Sequence, residues 1–356
     1  MISLDMTTDT HTERRVFIGL SGGVDSSVAA YLLCAQGYEV IGVTIDTGCG
    51  DAPEAAARAA RELGIEHRVI DLKERFRGEI ISEFISAYTR GLTPSPCLRC
   101  NPLIKFAALV DQCEKAEDMI ATGHYVVKRQ DAAAGLFFLT CGDQAKDQSY
   151  FLSLLTQEQI ARCLFPLAGM NKDQVRSLAR ERGLCSAQRR DSFDVCFIPN
   201  GDYRSFLLDN GVVDHEGEII DVSSRVLGRH SGLSRYTVGQ RRGLDLALGY
   251  PAYVLELDSE NNRLTVGPRE FLYSSEAIVE DCVFQSIPTP SADLYCQVRV
   301  RHKAALSTAV LSPLPQRGPF CFKIKFEKPE WGIAPGQYAA FYDGDRLLGG
   351  GRFVKE

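Results

Sequence analysis

The stretch Gly19-Leu20-Ser21-Gly22-Gly23-Val24-Asp25-Ser26-Ser27 follows an apolar run, Val16 to Leu20, and opens a helix-like segment from Ser26 to Ala35. A strand that feeds a glycine-rich turn and then a helix N-terminus gathers backbone N–H groups and the positive end of the helix dipole around one small volume. That volume suits phosphate. Gly22 and Gly23 allow close backbone approach, Ser21, Ser26 and Ser27 add hydroxyl donors, and Asp25 can hold a magnesium ion. No lysine follows the glycines, so the loop departs from the common P-loop, whose lysine reaches the β- and γ-phosphates. An ordinary Gly-Gly turn is the bland alternative, and the full hydroxyl and carboxylate complement argues against it.

Working outward, Val28, Ala29, Leu32 and Leu33 recur at helical spacing until Gly37 stops the helix, and Val40 to Ile45 reads as a second buried strand. Pro53 starts a helix that runs through alanines to Leu63, with Gly64 as its cap, and His67 to Leu72 is a third strand. This βαβαβ order predicts a parallel sheet with helices on both faces and a ligand at the carboxyl ends of its strands. A helical run from Glu74 to Tyr88 precedes a loop from Thr93 to Asn101 stiffened by Pro94 and Pro96, and Asn101-Pro102 is expected to begin a helix reaching Cys113. Met119 to Thr122 returns as a strand ending in Gly123-His124-Tyr125, Phe137 to Cys141 is a hairpin strand, and Asn171 to Arg182 is a capped helix.

A boundary falls near Pro199 to Gly201, beyond which the chain alternates and turns often. Tyr253 to Leu257 and Arg263 to Val266 form a hairpin, and six strand-like runs from Ala277 onward, without helices, predict a small β-barrel. The expected divisions are a flexible tail at 1–14, an α/β catalytic domain at 15–199, a central domain at 200–274 and a C-terminal β-barrel at 275–356.

The totals agree with several domains: 356 residues exceed one compact core, and 45% hydrophobic with 24% charged residues is an ordinary globular composition. No apolar run is long enough for a bilayer span, and the polar Met1 to Arg15 lacks a signal-peptide core, so a cytoplasmic location is expected. Twelve cysteines without a secretion signal suggest thiol, metal or redox chemistry rather than a disulfide framework. Cys34, Cys113, Cys163, Cys282, Cys296 and Cys321 fall among apolar residues and read as core groups. A net charge of −6 disfavours nucleic acid, yet Val222 to Leu244 carries Arg225, Arg229, Arg235, Arg241 and Arg242 without one acid. A second basic run is Arg299, Arg301, His302 and Lys303. Either these runs face an anionic partner or they are solvated faces with acidic neighbours in space.

The cysteine question narrows to Cys97, Cys100 and Cys196. Cys97 and Cys100 sit in the proline-rich loop beside a helix start, whose dipole would favour thiolate, and Cys196 follows Arg189 and Arg190. A structural zinc site wants four ligands and finds no second C-x-x-C pair. A thioredoxin-like dithiol lacks its fold context. Sulfur handling by nucleophilic or cluster-bound cysteines is the third reading.

Here a resemblance becomes specific. The opening stretch resembles the PP-loop (S-G-G-x-D-S) of ATP pyrophosphatases, which grips the leaving pyrophosphate while a substrate oxygen is adenylated. With it, the segments around Cys97–Phe106, Ala121–Tyr125, Lys146–Leu152, Val195–Ile198, Thr237–Leu244 and Pro335–Tyr342 are similar to those of the tRNA-specific 2-thiouridylases, and these motifs span nearly the whole chain. The resemblance implies an adenine-nucleotide α-hydrolase-like PP-loop domain, a tRNA substrate, a sulfur donor (a persulfide carrier protein or sulfide) and 2-thiouridine at the anticodon wobble position as product. It implies that Gly19, Leu20, Ser21, Gly22, Gly23, Val24, Asp25 and Ser26, with Ile45 and Gly123, hold ATP and its magnesium. Ser95, Pro96 and Cys97 would face the target base, and His124, Lys146, Asp147, Gln148, Arg301, His302 and Gln337 would contact tRNA. The residue matching Cys196 carries a persulfide in the family scheme, and the one matching Cys100 closes a transient disulfide with it.

Two departures matter. Many family members have aspartate where this chain has Cys97, so Cys97, Cys100 and Cys196 could ligate a 4Fe–4S cluster with one iron open for hydrosulfide, the alternative being Cys97 as a spectator. Ile45-Asp46-Thr47-Gly48-Cys49 lacks the expected tryptophan-containing sequence, which leaves the adenine pocket and Cys49 unassigned. Two other classes stay open: an ATP-driven amide-forming ligase on the same loop, which needs no cysteines, and an iron–sulfur redox-sensing RNA-binding protein.

Overall fold

The computed structural model describes residues 14–141, 147–189 and 195–355. Strand β1 (Arg15–Gly19) leads through the glycine loop into helix α1 (Val24–Ala35), then β2 (Glu39–Asp46), α2 (Ala52–Leu63) and β3 (Glu66–Asp71), as the alternation predicts. Val16, Phe17 and Ile18 are all 0% exposed, so both faces of β1 are covered, which is what an uninterrupted apolar strand requires. Gly64 ends α2 in the left-handed conformation at φ 66°, a cap open to glycine without steric cost.

The next helical run reaches α3 (Ser82–Thr89), and the loop after it leads into α4 (Pro96–Cys100). Here the expectation is corrected. Cys97 and Cys100 lie inside a helix that starts at Pro96, not in a loop ahead of one starting at Asn101. Proline suits a first helical position because its missing N–H would have no partner there. Helix α4 continues as a widened π-turn, Asn101–Phe106. Pro102 lacks the donor for a regular turn and its ring crowds the carbonyl four residues back, so a wider winding relieves both conflicts.

Strand β4 (Met119–Ala121), the hairpin β5 (Val126–Asp131) and β6 (Leu136–Cys141), helix α5 (Gln157–Arg162), the short β7 (Cys163–Leu164) and α6 (Lys172–Glu181) complete the first unit. Its sheet is parallel throughout, in the order β3-β2-β1-β4-β7. The chain leaves β1 toward β2 on one side and β4 lies on the other, a switch point whose crevice opens at the carboxyl ends. Helix α6 starts at a capping box between Asn171 and Gln174, as its sequence predicts.

Helix α7 (Tyr203–Asp209) leads into a four-stranded sheet of β8 (Gly217–Ile220), β9 (Val226–His230), β10 (Tyr253–Asp258) and β11 (Arg263–Gly267), in the order β10-β11-β8-β9. Its core is Ile219, Val254, Leu257, Leu264 and Val266. The chain ends in β12 (Tyr273–Phe284), β13 (Leu294–Arg299), β14 (Ser307–Pro313), β15 (Phe322–Trp331), β16 (Tyr338–Asp343) and β17 (Arg346–Val354). Pairing of β12 with both β15 and β17 closes these six strands into the expected barrel. The hairpin β5–β6 adds to it through β17, pairing Leu139 with Leu347, and one core joins Phe17 and Ile120 of the first unit to Tyr338 and Tyr342 of the barrel. Closure removes sheet edges, and the hairpin locks the barrel onto the nucleotide-loop unit.

Candidate functional site

The glycine loop is held by its own hydroxyls. Ser21 N–H donates to Ser26 Oγ at 3.2 Å, Ser26 Oγ and Ser27 Oγ donate to the Gly23 carbonyl at 3.1 and 2.9 Å, and Thr44 Oγ1 donates to the Leu20 carbonyl at 2.6 Å. Gly22 has φ 70°, and a Cβ there would lie 2.4 Å from Ala55 Cβ, so α2 presses directly on the turn. Gly123, at the end of β4, is as tightly placed: a Cβ would come within 2.9 Å of the Asp25 carbonyl carbon and 3.0 Å of Ser26 N. The sequence-assigned nucleotide residues Gly19 to Ser26, Ile45 and Gly123 thus meet at one edge of the sheet, at the ends of β1, β2 and β4.

Asp25 is not arranged as a free metal ligand. Lys172 Nζ donates to both of its carboxylate oxygens at 2.8 Å, and the Tyr125 hydroxyl donates to Oδ1 at 2.6 Å. The lysine that the glycine loop lacks in sequence arrives from the first turn of α6, 147 residues away. Sequence reading missed Lys172 because nothing near Asp25 signals it; only the capping box that opens α6 marks the place. Asp46 is likewise committed, to Lys73 at 2.8 Å and to the Gly48 N–H at 2.8 Å.

A second cluster lies beside the first. Cys100 is 5% exposed, Cys97 is half-buried and Cys196 reaches the surface. Lys105 shares one neighbourhood with all three thiols and with His124, and Cys49 lies near Cys196. Within the α4 helix a regular winding would set Lys105 about 140° around from Cys100, five steps of ~100°. The π-turn closes five residues apart and brings the two together. Lys105 was quoted in a motif but given no role by sequence; its signal was the spacing from Cys100.

The thiolate expectation is corrected. Burial pushes the Cys100 thiol up, against the pull of Lys105, and the protein packed around Cys196, a residue that still reaches the surface, pushes its thiol up to about 11. Burial also draws Lys105 down, but the three neighbouring sulfurs outweigh it and its pKa ends raised. His124 is driven down to about 3 by burial and then by Lys105, so it is neutral at ordinary pH, with Nδ1 2.9 Å from Thr122 Oγ1. Among the described residues no three Cys, His, Asp or Glu side chains come together as a metal ligand set, Cys97, Cys100 and Cys196 included. Arg189 does not serve Cys196: it pairs with Asp51 at 2.7 Å. Arg190 and Lys146 lie outside the described residues.

The residues assigned to RNA contact divide. Ser95 and Pro96 line a cleft with Arg99, Gly336, Tyr338 and Arg352, and Thr93 N–H donates to Pro335 carbonyl at 2.9 Å, which seats the barrel and its Gln337 against the cysteine helix. Asp147 is buried, bound by Arg299 at 2.8 Å and by both Ser149 N–H and Oγ at 2.9 Å, so it holds the segment in place. Gln148 exchanges two bonds with the Tyr125 backbone at 3.0 and 3.2 Å. The His302 ring lies 4.4 Å from Phe151, its Nε2 3.4 Å from the Asp147 carbonyl oxygen, whereas Arg301 turns away to Trp331. The arginine run also divides: Arg225, Arg229 and Arg235 pair with Asp221, Glu216 and Asp214 at 3.1, 3.6 and 3.1 Å, whereas Arg241 and Arg242 are exposed and make no ion pair among the described residues.

Comparison with known proteins matches three family models in series: the tRNA methyl transferase HUP domain at residues 14–200, the tRNA methyl transferase PRC-barrel domain at 204–268 and the aminomethyltransferase beta-barrel domain at 274–353. The chain is 43% identical over 349 residues to the tRNA-specific 2-thiouridylase MnmA of Trichlorobacter lovleyi, covering 95% of this chain and 97% of that one. It is 42% identical to the protein of the same name from Synechocystis sp., covering 95% and 96%. Among solved structures, a 4-thiouridine synthetase–RNA complex with bound ATP matches at a TM-score of 0.34 and 19% identity, over 55% of this chain and 50% of that one.

Proposed function

The chain belongs to the tRNA-specific 2-thiouridylases, ATP-using tRNA sulfurtransferases, and on that premise we propose how its own residues thiolate a uridine. The observation that carries the proposal is the end of β4. Gly123 presses on the nucleotide loop, and the next residue, His124, faces Lys105 and its ring of thiols. Activation and sulfur delivery are therefore one residue apart.

ATP lies in the Gly19–Ser26 loop with its leaving pyrophosphate against the loop N–H groups and the α1 N-terminus. Lys172, held by Asp25, supplies the cation there. The C2 oxygen of the wobble uridine attacks the α-phosphorus, pyrophosphate leaves, and the adenylated base is open to sulfur at C2. A persulfide on Cys196, formed when its thiol takes the terminal sulfur of a persulfide-carrier donor and frees the donor's thiol, attacks C2 through its terminal sulfur and AMP departs. The Cys100 thiolate then attacks the Cys196 sulfur, the S–S bond to the base breaks to leave C2=S, and a Cys100–Cys196 disulfide forms. An external dithiol reduces it before the next turnover. Lys105 offsets the anionic sulfur at each stage. His124, Gln337 and the Ser95–Cys97 turn would position the anticodon loop. No step is routed through magnesium or a 4Fe–4S cluster, because Asp25 is committed to Lys172 and the three sulfurs do not form a ligand set. The domain divisions that go with this reading are 15–199, 200–274 and 275–356.

The test is single-turnover thiolation of unmodified tRNA with ATP and a persulfide-loaded carrier as sulfur donor, in protein freed of iron. Cys100→Ser and Cys196→Ser should abolish thiolation while pyrophosphate release persists, and Cys97→Ser should stay within about threefold of the parent, a change under 1 kcal/mol. Thiolation that requires iron and is lost in Cys97→Ser would overturn the persulfide route in favour of the cluster.

A further inference from the structure

Away from the cysteines, three segments converge on Trp331, the one tryptophan of the chain. The Arg301 guanidinium carbon lies 4.4 Å from the indole centroid and that of Arg269 lies 5.4 Å from it. Arg269 also stands 5.9 Å from the ring of Tyr273, which pairs across the sheet with Trp331. From the central domain comes Gly239, where a Cβ would sit 3.8 Å from the indole; Arg241 and Arg242 follow it. Phe271 and Tyr273 are 56% and 45% exposed.

Packing alone accounts poorly for this. The indole Nε1–H is buried without an acceptor, a cost that an apolar side chain would avoid. Among the described residues Arg269, Arg301, Arg241, Arg242 and Lys303 form no ion pair, unlike Arg225, Arg229 and Arg235 nearby. The acids at hand are Glu270, which is exposed, and Glu330, whose carboxylate accepts from Ser307 Oγ and from the Trp331 N–H. Flat rings and guanidinium planes beside unneutralised arginines are the chemistry that holds an unstacked base and its phosphate. His302, next to Arg301, packs on Phe151 and reaches the Asp147 carbonyl oxygen.

We propose that Trp331, Arg269 and Arg301 form a second RNA site, separate from the cysteine pocket, that stacks one unpaired nucleotide of the tRNA. The inference rests on the tRNA reading, gives Arg301 of that reading a defined contact, and assigns Trp331 and Arg269, which it leaves without a role. The interior of a duplex does not satisfy it, because bases stacked on both sides have no free face to offer.

Trp331 is its own reporter. Titrating the full chain with unmodified tRNA, while following tryptophan emission and measuring binding independently by filter retention, should show saturable quenching with the same Kd in both. Trp331→Ala should weaken binding roughly 5- to 150-fold, the range for loss of one base–aromatic stack. Trp331→Phe, which keeps the packing, should fall between the two. Arg269→Gln should lower the slope of log K against log salt by about one. Full tRNA binding with unchanged emission overturns the proposal and leaves the function standing, as does equal quenching by a long RNA duplex at the same nucleotide concentration, in which terminal pairs are rare. Failure of the unsubstituted chain to bind tRNA at all overturns both.

Discussion

Lys172 Nζ stands 2.8 Å from both carboxylate oxygens of Asp25, so the acid of the glycine loop is bound to a lysine from a helix 147 residues on. The pair places a cation at the mouth of a loop whose sequence has none. Lys172→Met leaves the partly buried Asp25 without its cation, still held by the Tyr125 hydroxyl, and should cost about 1–3 kcal/mol of stability. It should also lower kcat/KM for ATP about a hundredfold, read as pyrophosphate release with tRNA present. Lys172→Arg should recover part of both. Normal ATP kinetics in Lys172→Met would remove the lysine from phosphate binding.

Gly22 and Gly37 both have positive φ, at 70° and 85°, but only Gly22 is crowded, with Ala55 Cβ 2.4 Å from a Cβ there and nothing within 4 Å at Gly37. Alanine at either should cost about 1–2 kcal/mol for the left-handed backbone. Gly22→Ala should in addition lose the rise in Tm that ATP confers, whereas Gly37→Ala keeps it. Thermal melts with and without ATP separate the two effects.

His124 has a folded-state pKa of about 3, below the 6.5 of the free imidazole. Between those limits the unfolded chain binds the proton that the folded chain refuses, so stability falls as pH falls from 6.5 toward 3. His124→Gln should flatten that part of a Tm profile taken from pH 7 to 4.5. Parallel profiles for variant and parent would mean that His124 protonates in place.

Cys196 is held at about 11 and Cys100 is raised by burial, so thiolate grows with pH through the alkaline range. Alkylation of each by iodoacetamide should speed up about tenfold per pH unit below that limit. Lys105→Met removes the nearest cation and should slow both at pH 8 by tenfold or more. Lys105→Arg keeps the charge and should not. Unchanged rates in Lys105→Met would show that the ammonium does not act on the thiols.

Arg241 and Arg242 make no ion pair among the described residues, whereas Arg225 is bound to Asp221 at 3.1 Å. Arg241→Ala and Arg242→Ala should each weaken tRNA binding and lower its salt slope by about one, while Arg225→Ala should change neither beyond twofold. Filter binding at several salt concentrations reads the difference.

By itself the sequence determined what local chemistry decides. The apolar run before Ser21-Gly22-Gly23 makes β1, the serine and glycine pattern makes the loop, Gly64 and Asn171 cap their helices, and six turn-bounded strands make the barrel. The motif set likewise sufficed for the family. Only the tertiary structure decided what depends on distant neighbours. Whether Asp25 meets a metal or a lysine depends on α6, and whether Cys100 is thiol or thiolate depends on the depth of its burial. Whether an arginine faces water or RNA depends on acids such as Asp214 that lie outside its own run. Burial and charge pairing are sums over everything packed around a group, and most of that lies far away along the chain. The helix around Cys97 lies between the two: Pro96 could have signalled its start, but the π-turn that carries Lys105 to the thiols is a compromise with Pro102 that only the folded backbone reveals.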